Sequence, residues 1–161
     1  MANFTGANVI AASDVTAYQT DAFDFGIASG ASEVTAWLAQ TTNDIFRDLR
    51  IKWWPMYKSN VYTDITVLNT VEMSNTKVDL DQFERAGVYL FLSRFFLPAL
   101  TKFRPEADKD RFERMIEFYS SAYIKEFQTI LEDGVNYDSD AGGSISASER
   151  EPLHSYKRLT R

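Results

Sequence analysis

The chain has 161 residues, 45% of them hydrophobic, 14% aromatic and 25% charged, which is a globular composition with enough chain to close one hydrophobic core. A net charge of −6 and a pI near 4.8 exclude a sequence-independent nucleic-acid binder and make an anionic membrane surface a poor partner. The absence of cysteine and the single histidine, His154, exclude disulfide frameworks, Cys/His zinc sites and cysteine nucleophiles.

The first cation is Arg47, so residues 1–46 carry −5 and the remainder only −1. This charge pattern predicts an acidic face or tail and no secretory leader. Residues 1–31, rich in Ala, Ser, Thr, Gly and Asp, read as an irregular acidic N-terminal arm in which Ser13 caps a short helical turn. From Ser32, Val34, Trp37, Leu38, Thr41, Ile45, Leu49 and Trp53 recur at three- and four-residue steps. That spacing predicts an amphipathic helix ended by Pro55.

Between Val61 and Met73 the alternation of Val61, Ile65, Val67, Val71 and Met73 predicts a strand or hairpin, with a short helix capped at Thr63-Asp64 as the alternative. Asp79 caps the next helix, from about Leu80 to Leu97, with Pro98 as a kink or stop. Val88 to Leu97 leave it almost no polar face, so it must be buried on nearly all sides. The apolar run from Ala86 to Leu100 covers 15 residues, short of the roughly 20 a membrane helix needs, and a soluble protein is expected.

Pro105 opens the last helix, along which Phe112, Met115, Ile116, Tyr119, Tyr123, Phe127, Ile130 and Leu131 trace one apolar stripe up to Gly134. The expected fold is therefore mainly α: a bundle of three principal helices over residues 32–134 with a β-prone insertion, preceded by the arm and followed by a Gly/Asp-rich turn and extended basic tail over 135–161. The expected core is Trp37, Leu38, Ile45, Leu49, Val88, Phe91, Phe95, Phe112, Ile116, Tyr119, Tyr123 and Phe127.

Residues Asp138 to Glu149 fit the spacing of an EF-hand loop, with Asp138 at position 1, Asp140 at 3, Gly143 at the sharp turn, Ser144 at 7, Ser146 at 9 and Glu149 closing at 12. A hard cation such as calcium takes oxygen ligands from alternating positions of such a turn. Gly142 at position 5 removes one ligand, and Pro152 shortens any exiting helix. A Gly/Ser/Asp turn held by its own side-chain to backbone bonds explains the same residues.

Trp53 and Trp54 adjoin at a helix end and cannot both face one core from a single helix, so one is expected at another subunit or under the N-terminal arm. Arg94, inside the apolar run, needs a partner, for which pairing across a subunit boundary is expected. With Tyr89 and Phe96 these form the expected subunit interface. Arg150, Leu153, Tyr156, Lys157, Arg158, Leu159 and Arg161 give the tail cationic donors and one apolar edge for docking. No set of catalytic residues is apparent, and no enzyme is expected.

The succession of amphipathic helix, β-prone stretch, aromatic helix with Glu84-Arg85-Ala86-Gly87-Val88-Tyr89-Leu90, amphipathic helix and tail ending Tyr156-Lys157-Arg158-Leu159-Thr160-Arg161 resembles the head-to-tail connector (adaptor or neck) proteins of tailed bacteriophages. The resemblance covers roughly Ser32 to Arg161 and rests on helix order, size and tail character. It implies a structural virion protein of the neck, made in the host cytoplasm. Its subunits would form a homo-oligomeric, dodecameric ring, with the C-terminus docked into the portal protein and loops meeting the next neck or tail-completion protein. DNA would pass through the ring without specific binding, which a net-negative subunit suits. The acidic arm and the EF-hand-like turn are not implied by the resemblance. Two other classes are a calcium-binding helical module and a small carboxylate-dependent enzyme.

Overall fold

The computed structural model describes residues 4, 8–101, 106–146 and 149–151. Its secondary structure is mainly helical: α1 Ala12–Tyr18, α2 Ser32–Lys52, α3 Trp54–Val61, α4 Ile65–Thr70, α5 Glu84–Phe91, α6 Leu97–Thr101 and α7 Glu106–Asp133. Short 3-10 turns cover Ala22–Phe25, Asn75–Lys77 and Leu80–Phe83, and the two-residue strands β1 Val135–Asn136 and β2 Arg150–Glu151 pair antiparallel.

The long amphipathic helices α2 and α7 form where the apolar stripes predict them. Leu38, Ile45, Leu49, Phe112, Tyr123 and Phe127 are buried, as are Val88 and Phe91 of α5. Trp37, Ile116 and Tyr119 are partly buried and pack against this core, and Phe95 is half-buried. Between α5 and α6 lies one π-helical turn, Leu92–Phe96, closed by a bond from the Leu97 N–H to the Leu92 carbonyl. Pro98 explains it: proline cannot donate to the Arg94 carbonyl and its ring crowds that oxygen, so the turn widens. The helix then continues through Pro98 to Thr101 rather than stopping there. No described helix is long and apolar enough to cross a membrane.

The structure corrects several expectations. Residues 61–73 hold no strand. Asp64 instead caps α4, its Oδ1 accepting from the Thr66 amide at 2.8 Å and the Thr66 hydroxyl at 2.6 Å. This local cap outweighs the period-2 pattern. Pro55 does not end α2, which stops at Lys52; it occupies the first turn of α3, where its missing N–H costs nothing.

Part of the expected N-terminal arm packs on the helices. Val9, Ile10, Val15 and Ala22 belong to the same core as α2, α5 and α7, and the Val9 amide donates to Thr42 Oγ1 at 2.9 Å. Asp14, rather than Ser13, completes the start of α1, accepting from the Ala11 amide at 2.7 Å. Gly87 makes this docking possible, because a Cβ there would lie 2.9 Å from both Val9 Cγ1 and Ile10 Cγ2. Val135 and Tyr137, from the start of the expected Gly/Asp-rich turn, are buried in that core as well.

Candidate functional site

Gly134, at φ 106°, ends α7 in the left-handed region and turns the chain into β1. The Gln82 side chain grips this strand, donating to the Gly134 carbonyl at 2.7 Å and accepting from the Asn136 amide at 3.0 Å. Tyr137 then donates its amide to the Glu149 carbonyl, and the Asp138 amide donates to the Lys77 carbonyl at 2.8 Å. The ends of the 138–149 loop are thereby pinned to the body, and Lys77 Nζ holds its rim through the Ser139 carbonyl at 2.7 Å.

Within the loop Asp138, Asp140 and Glu149 bring carboxylate oxygens within 4.8 Å of one another. Three like charges this close need compensation, and the loop supplies it from its own donors. Asp138 accepts from the amides of Gly142 (2.9 Å) and Gly143 (2.8 Å), and Asp140 accepts from Gly142 (2.8 Å). Glu149 Oε1 accepts from the Ser139 amide (2.7 Å) and hydroxyl (3.0 Å), while Oε2 accepts from the Ser146 amide and hydroxyl, both 2.9 Å. The donors of Ser146, followed by those of Ser139, hold the Glu149 carboxyl down to about 2. Ala141 (φ 59°) and Gly143 (φ 74°) adopt the left-handed backbone that aims these amides inward.

Chemically, the loop is a carboxylate nest saturated by protein donors, the arrangement expected of a self-bonded turn. Its three carboxylates and the Ser146 hydroxyl have the oxygen chemistry a calcium ion takes, while the exposed Ser144 side chain makes no described bond to the cluster. Glu149 is the tightest element of the nest. It is buried, and it bonds to both ends of the loop.

The expected subunit-interface residues are mostly used inside the chain. Trp53 and Trp54 are both buried, at 0% and 5% exposure. The break between α2 and α3 falls at Trp53, so the two rings need not follow one helical spiral, and both pack with Tyr57 and Tyr137 at centroid separations of 4.6 to 5.6 Å. Arg94 finds its partner in its own chain, 3.2 Å from Asp44. Phe96 is buried between Phe23 and Phe91. Tyr89 is half-buried against Tyr18 and Tyr119, its hydroxyl accepting from Arg85 Nε at 2.9 Å. Of the expected tail residues, Arg150 lies exposed in β2, while Leu153, Tyr156, Lys157, Arg158, Leu159 and Arg161 lie outside the described residues.

Among the described residues, concavities open on the surface. One, of about 630 Å³, lies on α7 and includes Glu113, Glu117, Arg114 and Ile124. Another, of about 560 Å³, has Val9, Ile10 and Leu38 at its floor and the carboxylates of Asp14, Asp81 and Glu84 at its rim. The packing of the N-terminal segment against α5 brings Asp81 and Glu84 to one rim with Asp14. Exposed apolar side chains lie on separate elements, with Ile65 (71%) on α4 and Phe118 (65%) and Ile124 (61%) on α7. Comparison with protein-family models finds no match, and comparison with curated proteins and with solved structures finds none either.

Proposed function

We propose that this protein is a structural subunit of a phage head-to-tail connector, a ring component that docks on the portal and joins the head to the neck and tail. The observation that carries this reading is the element order in one body: amphipathic α2, aromatic α5 and amphipathic α7, then a short strand from which a basic tail departs. The exposed apolar residues of α4 and α7 lend it support. Exposed apolar side chains on different elements of one chain suit the heterologous contacts from which rings are built. The pinned loop end serves the same purpose, since a tail that reaches for a partner is best launched from a fixed point.

Copurification with the portal protein of the same virus tests the proposal. The full chain is expected to bind and to form rings visible in micrographs, and deletion of Ser155 to Arg161 is expected to abolish attachment while leaving helix content unchanged. A truncated chain that copurifies at full level would remove the tail from this role.

A second reading has one specific observation behind it, the convergence of Asp138, Asp140 and Glu149. On it the loop binds calcium, with the Ser146 hydroxyl and the Ser144 carbonyl as further donors. Calorimetry with calcium up to millimolar concentration tests it. Heat on the wild type that Glu149→Gln abolishes would support this reading, and no heat on the wild type would leave the self-bonded turn.

A further inference from the structure

We propose that the basic C-terminal segment of this chain, residues 152–161, docks in cis in the acidic depression bounded by Asp14, Asp81 and Glu84. The inference concerns the free subunit, before the segment engages any partner, and does not depend on the connector reading. Three observations meet here.

The first is charge. Asp81 and Glu84 are exposed and form no ion pair among the described residues, and with Asp14 they leave three carboxylates around one concavity. Residues 152–161 contain Lys157, Arg158 and Arg161 and no carboxylate side chain. Opposite charges at this density attract even at a partly solvated rim.

The second is the apolar content of both surfaces. The depression is floored by Val9, Ile10 and Leu38. The segment carries Leu153, Tyr156 and Leu159 at three-residue steps, interleaved with its cations. A groove with an apolar floor and an acidic rim is matched by a segment that alternates apolar and basic side chains.

The third is where the described chain stops. Glu151 pairs with Val135 of β1, and β1 is held on its other edge by Gln82, which lies between Asp81 and Glu84 in sequence. The ten residues that follow Glu151 span at most about 35 Å when extended, ample to pass one strand and reach that rim. Tethering so close gives an effective concentration of about millimolar, which favours the chain's own segment over that of another copy.

Because the chain has no cysteine, a single nitroxide at Thr160→Cys reports the position of the segment in the otherwise unmodified chain. The expected result at low salt is paramagnetic broadening of the amides of Ala11, Ala12, Leu38 and Glu84. That broadening should be lost in the Asp81→Asn/Glu84→Gln variant and strongly reduced in 1 M salt, where the Debye length is about 3 Å. Both substitutions are at exposed positions, and unchanged amide shifts along α2 and α7 would show that the body is intact. Absence of broadening at these amides, or broadening that persists in the variant, would overturn the proposal. A mixture of labelled chains without isotope and isotope-enriched chains without label separates cis from trans. Broadening of equal strength in the mixture would assign the occupant to a second copy and overturn the cis proposal.

Discussion

The Arg94 guanidinium lies 3.2 Å from Asp44 Oδ2, tying the π-helical turn to α2. Asp44 is only 3% exposed and also pairs with Arg47 at 3.1 Å, so one buried carboxylate holds two half-exposed cations from different elements. Desolvating a carboxylate is unfavourable unless it is paired, which explains why an arginine interrupts the most apolar stretch of the sequence.

Arg94→Ala is therefore expected to lower stability by about 1 to 2 kcal/mol. This is less than the loss of a fully buried pair, because Arg47 remains and Arg94 is half in solvent. A double-mutant cycle with Asp44→Asn, read by urea unfolding, should give a coupling clearly different from zero.

Gly87→Ala tests the docking of the N-terminal segment. The added methyl meets two stiff β-branched side chains at 2.9 Å, an overpacking cost of about 1 to 3 kcal/mol set against roughly 1 kcal/mol of improved helix propensity. The expected outcome is a net loss of stability, with faster hydrogen exchange at the Val9 amide as its bond to Thr42 opens. A raised unfolding midpoint would show that the segment yields without cost.

Phe91 is fully buried and stacks on Phe96 with centroids 5.8 Å apart. Phe91→Ala should cost about 3 to 5 kcal/mol, seen as a lower urea midpoint with an unchanged slope. An unchanged midpoint would be incompatible with this packing.

Glu149 sets an acid limit on the 138–149 loop. Its folded-state carboxyl sits at about 2, below the ordinary 4.5, so its contribution to stability is complete above pH 4.5, declines as the pH falls towards 2 and is absent below it. Glu149→Gln should destabilise the protein at pH 7, with the difference from the wild type shrinking over that window. A difference constant from pH 7 to pH 2 would contradict the hydrogen-bonded carboxylate.

The amphipathic helices were legible because a 3.6-residue stripe specifies both the helix and the face it buries. Leu38, Ile45 and Leu49 of α2 lie inside, as do Phe112, Tyr123 and Phe127 of α7. The self-bonded turn at 138–149 was legible too, as one of two readings, since Asp, Ser and Gly at those spacings make local bonds that need no distant partner. Local signals failed where two of them competed. Val61 to Met73 offers alternating β-branched residues, yet a single cap at Asp64 tips the segment into helix.

What the sequence by itself determined is the mainly helical class, the inward faces of the long helices and the stop at Gly134, because each depends on residues within a few turns of one another. The tertiary structure alone decided that Trp53 and Trp54 share one aromatic cluster and that Asp44 answers Arg94. It also decided that Val9 and Ile10 close over Gly87, which brings Asp14 to the same rim as Asp81 and Glu84. These contacts join residues some 50 to 80 positions apart in the chain. Composition and periodicity carry no record of such pairs, since the pairing follows from how packed helices exclude water and leave each buried charge one place to find its partner.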